Sequence, residues 1–166
     1  MNRSSVMRIL IFLVATLITN VCNAEDVIYN RNKTSEEAKI IDSLGKEVDT
    51  CRDAFFINEY KNCPIDNLKD CYNRDIDANN KLKDCYLEVA NKIVTQFYSE
   101  NKEKSLQQIQ NYAKSSFEAN LNLYSSSNYC KPSCGLEVSL FASQATNYDL
   151  QEYILRMLDY LYANAP

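Results

Sequence analysis

Residues 68–86 read LKDCYNRDIDANNKLKDCY and contain the same five-residue motif twice, at 68–72 and at 82–86. No glycine or proline interrupts the stretch, so the sequence favours one continuous helix. Fourteen residues of α-helix turn through about 1,400°, which puts Cys71 and Cys85 on nearly the same face, about 21 Å apart. Bridged cysteines have Cα atoms within about 7 Å of each other. We therefore predict that these two cysteines bond to different neighbouring segments and not to each other.

The first 24 residues are typical of a secretory signal peptide. A basic start is followed by a short apolar run from Ile9 to Ile18 and by small residues that end at Ala24. The run is too short to span a bilayer comfortably. Cleavage after Ala24 would leave a secreted or periplasmic chain that begins with a flexible polar arm, residues 25–34. A lipoprotein anchored through Cys22 is less favoured, because the residues before it fit the lipidation motif poorly.

Cleavage would also remove one of the seven cysteines, Cys22, and leave an even set. An even set in an exported chain is typical of structural disulfides. A metal site is disfavoured because the chain has no histidine, and a redox site would favour Cys-x-x-Cys, whereas Cys130 and Cys134 have three residues between them. We predict no metal and no cofactor. The disulfide pairing stays open, except that a bond between Cys71 and Cys85 is excluded. The predicted disulfide cysteines are Cys51, Cys63, Cys71, Cys85, Cys130 and Cys134.

The charge balance indicates the kind of partner. The full chain has 18 basic and 22 acidic residues. Signal cleavage would remove Arg3 and Arg8 and no acid, which leaves 16 bases against 22 acids and a net charge of −6. Such a chain repels nucleic acid and anionic membranes and attracts basic partners. We therefore expect a protein partner, no nucleic acid and no stable membrane insertion after cleavage.

The apolar spacing predicts an all-α fold. Only two glycines and three prolines occur, and apolar residues recur at intervals of three and four. Helices joined by short connections form an antiparallel bundle of about four helices, here stapled by disulfides as one domain over residues 35–166. The predicted helices cover about 35–60, just after Pro64 to about 99, about 104–124 and about 136–163. Their apolar stripes are Ile41, Leu44, Val48, Cys51 and Phe55; Leu82, Cys85 or Tyr86, Val89, Ile93 and Phe97; Leu106, Ile109, Ala113, Phe117, Leu121 and Tyr124; and Leu150, Ile154, Met157, Leu158 and Leu161.

An enzymatic function is disfavoured by the residue types present. The lack of histidine removes the usual general base for a serine or cysteine nucleophile. A pair of carboxylates could still cleave glycosides, but the acids of the second helix alternate with bases in the way of a solvated helix face. We therefore predict no catalytic residues. The acids interpreted as solvated are Asp66, Asp70, Asp75, Asp77 and Asp84, and the interleaved bases are Lys69, Arg74, Lys81 and Lys83.

The connection between the third and fourth helices, residues 125–135, is the candidate partner-binding loop. It contains two cysteines and Pro132, and a loop held in that way can present side chains to a partner. The tyrosines offer an alternative surface, but at helical spacing we interpret most of them as core or core edge. The candidate loop residues are Ser127, Asn128, Tyr129, Lys131 and Ser133.

Residues 63–158 resemble the LprI-like family of small exported bacterial proteins, whose name comes from lysozyme inhibition. The likeness is carried by the order of the cysteines, by Leu82 and Tyr86 after Cys71, and by the aromatic residue and cysteine of Tyr124-to-Cys130. The resemblance implies an all-helical, disulfide-tied envelope domain that binds lysozyme and blocks it. A structural cell-envelope protein and an inhibitor of another secreted hydrolase are the alternatives.

Overall fold

The computed structural model describes residues 35–55, 68–126 and 135–166, which form four helices. No strand occurs in these three ranges. They belong to one compact unit, Ser35–Pro166. The prediction of an all-α, disulfide-stapled bundle is confirmed. The helices are α1 (Glu36–Phe55), α2 (Leu68–Phe97), α3 (Lys102–Ser125) and α4 (Gly135–Asn164), and the 3-10 turn Ser99–Asn101 joins α2 to α3.

The start of α1 shows how local sequence sets a helix end. The backbone N–H of Ala38 donates to the Ser35 hydroxyl at 3.2 Å, which satisfies one of the unpaired donors of the first turn. Glu36 and Glu37 occupy that turn, where negative charge is favoured by the helix dipole. The α1 helix therefore begins where a serine cap is followed by two acids.

Cross-helix contacts give the direction of α1 relative to α2. The Lys92 ammonium donates to the Glu47 carboxylate at 2.7 Å, and Cys51 is bonded to Cys85 with a Cα–Cα distance of 5.8 Å. The later residue of α1 pairs with the earlier residue of α2, so these helices are antiparallel. Cys85 thus reaches α1 and not Cys71.

The same reasoning orients α4. The rings of Tyr112 and Tyr153 stack, and Tyr124 packs against Phe141, so α3 and α4 are antiparallel. Asn79 of α2 meets Asn147 of α4, and Tyr98, just after α2, lies near Tyr160 late in α4, so α2 and α4 run in the same direction. The four helices therefore alternate in direction along the chain, as the predicted bundle requires.

Apolar residues of all four helices form one core. The central residues of the predicted apolar stripes are buried, which confirms this part of the prediction. Residues at the stripe ends, such as Phe55 and Phe97, are partly buried against this core. The core includes Ile41, Leu44, Val48, Leu82, Tyr86, Val89, Ile93, Ile109, Ala113, Leu150, Ile154 and Leu158.

The cysteines of the repeated motif behave as predicted. Cys85 is bonded to Cys51, and Cys71 is also disulfide-bonded, so the two are joined to different residues. The prediction that each makes a separate staple is confirmed. Cys63, Cys130 and Cys134 lie outside the described residues.

The amino-terminal region, with the predicted signal peptide, Cys22 and the predicted arm of residues 25–34, also lies outside the described residues. Within the described helices, no segment is both long enough and apolar enough to cross a bilayer.

Candidate partner-binding surface

The first candidate is the loop between α3 and α4 that the sequence singled out. Its candidate contacts all lie outside the described residues, between the end of α3 at Ser125 and the start of α4 at Gly135. They remain a prediction. These residues are Ser127, Asn128, Tyr129, Lys131 and Ser133.

The interpretation of the α2 acids as a solvated face is confirmed for three of them. Asp70, Asp77 and Asp84 are exposed. The Asp77 carboxylate pairs with the Lys81 ammonium one turn later at 2.7 Å, and both side chains are mostly exposed. Such pairs contribute little to stability. Asp66 lies outside the described residues.

The same interpretation is wrong for Asp75, which is fully buried. The Arg74 guanidinium donates to its Oδ1 atom from Nε at 3.1 Å and from Nη2 at 3.0 Å. Asp75 lies seven residues before the buried Leu82 and four before the buried Asn79, and these intervals put all three on one helix face. The charged neighbours in sequence belong to the other faces, which explains why the pattern of the run was misleading.

Asp75 belongs to a group of buried polar side chains that we call the polar layer: Asp75, Asn79, Thr146 and Asn147. The Asn147 Nδ2 atom donates to the backbone oxygen of Asn79 at 2.9 Å and to its Oδ1 atom at 3.0 Å. The Asn79 Nδ2 atom in turn donates to the Asp75 backbone oxygen at 2.8 Å. Within the described residues Asp75 is the only buried acid, so the layer does not have the carboxylate pair that glycoside cleavage requires.

The described ranges contain no group of three or more histidine, cysteine, aspartate or glutamate side chains that could hold a metal ion.

An exposed aromatic cluster lies along the seam between α3 and α4. The rings of Tyr112 and Tyr153 stack with their centroids 4.7 Å apart and their planes inclined by 27°. Tyr160, further along α4, is 66% exposed, and Tyr112 is 38% exposed. Tyr98, just after α2, lies close enough to Tyr153 and Tyr160 to interact with them electrostatically. We call Tyr98, Tyr112, Tyr153 and Tyr160 the tyrosine surface.

Two phenols of this surface, those of Tyr98 and Tyr112, hold their protons more tightly than a free tyrosine because their pKa is raised. Partial burial raises the pKa of Tyr98, and the neighbouring Tyr160 and Tyr153 raise it further. Partial burial also raises the pKa of Tyr112, and the negative charge of Asp149 adds to the effect. At neutral pH these two residues therefore offer hydroxyl groups that can donate hydrogen bonds beside apolar rings.

Acidic groups flank the stacked rings. The Asp149 Oδ2 atom accepts hydrogen bonds from the Ser116 hydroxyl at 2.5 Å and from Asn120 Nδ2 at 3.3 Å, which hold the carboxylate beside the α3 helix. Glu152, one turn before Arg156, pairs with it at 3.4 Å. Along its whole length α4 carries four acids and a single base. This edge of the tyrosine surface is therefore negative.

The sequence pattern did not identify the tyrosine surface. Tyr153 is adjacent to the buried Ile154, so its position in the sequence suggests the edge of the core. Its partner Tyr112 is remote in sequence. One signal was present: Asp149, Tyr153 and Tyr160 recur at intervals of four and seven, which places them on one face beside the apolar stripe. That this face meets Tyr112 depends on how α3 and α4 are rotated, and spacing does not give that rotation.

Comparison of the chain with protein families, with characterised proteins and with solved structures gave no match.

Proposed function

We propose that the protein is an exported, non-enzymatic binding protein that captures a basic protein through the tyrosine surface. The observation that carries this proposal is the Tyr112–Tyr153 stack with Asp149 and Glu152 at its edge. Stacked rings that stay partly open to solvent, next to fixed carboxylates, have the composition of a protein-binding surface rather than of an ordinary helix exterior.

Tyrosine is suited to this role for a physical reason. Its ring buries a large apolar area with few rotatable bonds, while its hydroxyl still forms a hydrogen bond at the edge of an interface. Tyrosines accordingly supply much of the binding energy where two proteins meet. The stack between Tyr112 and Tyr153 also limits the freedom of both rings before a partner arrives, which lowers the entropic cost of binding.

The charge of the chain favours a basic partner. Acids outnumber bases over the full sequence, and the excess is pronounced on α4. Opposite charge accelerates association and suppresses binding of acidic proteins. A c-type lysozyme is the first partner to test, because it is strongly basic and because the chain resembles the LprI-like family. Blocking of lysozyme would then follow from occupation of its surface.

The first experiment measures lysis of bacterial cells by a c-type lysozyme in the presence of the purified, oxidised protein. We expect slower lysis at low salt, and a smaller effect as salt screens the opposite charges. Direct titration of lysozyme by calorimetry should show binding with the same salt dependence. If a large molar excess of the protein gives neither slower lysis nor heat of binding, lysozyme is excluded as the partner. A pull-down of other secreted hydrolases would then be the next experiment.

A pair of matched variants locates the surface. Tyr160 and Tyr148 both lie on α4 and are both 66% exposed. They are twelve residues apart, which is about 18 Å along the helix and about 120° around it. Tyr160→Ala should weaken binding roughly tenfold, a typical loss for an aromatic contact, whereas Tyr148→Ala should leave it within about twofold. Equal effects of the two substitutions would show that the tyrosine surface is not the contact, even if lysozyme binds.

A further inference from the structure

The polar layer between α2 and α4 contains two buried oxygen atoms that accept no hydrogen bond from the protein. They are Asp75 Oδ2 and Asn147 Oδ1. The Asp75 side chain is 1% exposed and Asn147 is 4% exposed. Buried polar atoms nearly always have a hydrogen-bonding partner, because water has been lost and nothing else compensates. Two unpaired acceptors in the same layer therefore point to a bound donor.

The hydrogen bonds that the structure shows leave both acceptors without a donor. Arg74 donates twice to Asp75 Oδ1, so the second carboxylate oxygen faces away from the guanidinium. The orientation of the Asn147 amide is fixed because its Nδ2 atom donates to two oxygens of Asn79. Flipping that amide would place its oxygen against both of them. A donor from outside these side chains would satisfy both oxygens without disturbing the hydrogen bonds already present.

The two unpaired oxygens belong to side chains of the same polar layer. Asp75 and Asn79 lie one turn apart on the same face of α2, and Asn147 contacts Asn79 directly. The two helices run in the same direction, and helical side chains tilt toward the amino terminus of their helix. We therefore expect the Asn147 amide to lean from the level of Asn79 toward the level of Asp75.

Charge decides which kind of donor fits. The Asp75 carboxylate is already paired with Arg74, so a small cation would add an uncompensated charge to a buried site, which is costly. A water molecule is neutral and has two hydrogens for two acceptors. Buried waters of this kind are a regular part of protein interiors where polar groups converge.

We infer that one internal water molecule bridges α2 and α4 by donating to Asp75 Oδ2 and to Asn147 Oδ1. With this water, the hydrogen bonds form a closed ring that runs from Asp75 through the water, Asn147 and Asn79 and back to Asp75. The polar layer is then a water-binding site that fixes the pairing of two parallel helices.

The direct test is a crystal structure of the native protein at a resolution that shows ordered waters. We expect a density peak at about 2.5–3.0 Å from both oxygens, the usual length of such hydrogen bonds. Crystals soaked in rubidium chloride distinguish water from a cation, because rubidium scatters anomalously. An anomalous peak at this position would overturn the water assignment, and so would a structure in which either oxygen meets a protein donor.

A solution measurement checks the same site without a crystal. The Asn147 side-chain amide protons should show nuclear and rotating-frame Overhauser effects of opposite sign to water, as a long-lived bound water produces. The control is the exposed Asn164, whose Nδ2 atom donates to the Tyr160 backbone oxygen at 2.7 Å and whose amide should report only rapidly exchanging solvent. If the Asn147 amide, like that of Asn164, reports only rapidly exchanging solvent, a bound water at the polar layer is excluded.

Discussion

The helices α2 and α4 have mostly apolar buried residues, and the polar layer interrupts them. From Leu82 and Leu150 onward the facing side chains are apolar and fully buried, and we call this part the apolar layer. One turn earlier the facing residues are Asn79 and Asn147, which bind each other through the Asn147 amide. Apolar side chains tolerate sliding of one helix against the other, whereas the amide is satisfied in one register only. The apolar layer therefore supplies most of the stability, and the polar layer favours one alignment of the helices.

The largest expected effect concerns the staple at the edge of the apolar layer. The Cys51–Cys85 disulfide joins residues 34 apart in sequence. Closing a loop of that size restricts the unfolded chain and stabilises the fold by about 4 kcal/mol. The double substitution Cys51→Ala and Cys85→Ala should lower the free energy of unfolding by about that amount, measured by urea denaturation. A double variant as stable as the native protein would mean that the apolar layer does not depend on its staple.

The apolar layer was predictable from sequence because its signal is local. Val89 and Ile93 of α2, and Ile154 and Leu158 of α4, recur at helical spacing and proved to be buried. The exclusion of a bond between Cys71 and Cys85 also followed from helix geometry alone. That Cys85 pairs with Cys51 did not, because the choice depends on which helices become neighbours.

The polar layer was missed because its residues resemble surface residues in isolation. Asp75 follows Arg74 in a charged run, and charged runs are usually solvated. Its distance of seven residues from Leu82 placed it on the buried face, so a signal existed. What the sequence could not supply is the guanidinium of Arg74 folding back on the carboxylate, or an asparagine 68 residues away on α4.

The second prediction tests the apolar layer with alkali. Tyr86 is 1% exposed, and burial raises the pKa of its phenol to about 12, with the nearby Arg52 opposing the effect. In the unfolded chain a tyrosine ionises near pH 10, roughly two units lower. Between these values the unfolded state has lost a proton that the folded state keeps. Stability is therefore intact below about pH 10 and falls by about 2–3 kcal/mol as the pH rises to 12.

The measurement is urea denaturation at several pH values across this alkaline window. The control variant, Tyr86→Phe, has no phenol to ionise at that position and should lose much of the slope. If the variant and the native protein decline in parallel, the alkaline loss arises elsewhere in the molecule.

The third prediction asks whether the polar layer can be replaced by an apolar one. Asn147→Leu should remove two hydrogen bonds and leave Asn79 Oδ1 buried without a donor, which costs about 2 kcal/mol in the free energy of unfolding. The exposed Asn122 of α3 provides the matched control, since Asn122→Leu should change stability by no more than about 0.5 kcal/mol. Buried polar groups are sometimes dispensable. A gain in stability for Asn147→Leu would therefore mean that the polar layer costs stability relative to an apolar one.

The smallest expected effect separates a buried carboxylate from exposed ones that have the same kind of partner. The guanidinium side chains of Arg74 and Arg52 are about equally exposed, at 50% and 44%. Arg74 pairs with the buried Asp75, whereas Arg52 pairs with Asp49 and Asp53, whose side chains are 37% and 73% exposed. Arg74→Ala would leave a buried charge with less compensation, but the exposure of the guanidinium reduces the loss to about 1 kcal/mol.

Arg52→Ala should cost only about 0.3 kcal/mol, because water replaces the guanidinium around exposed carboxylates. The two variants are compared by urea denaturation in the same buffer, and Arg74→Lys is added to test geometry. Lysine keeps the charge but cannot reproduce the two N–H donations to Asp75 Oδ1, so it should recover only part of the loss. If Arg74→Ala and Arg52→Ala are equally mild, Asp75 does not depend on its arginine, and the polar layer must be stabilised chiefly by the hydrogen bonds of Asn79 and Asn147.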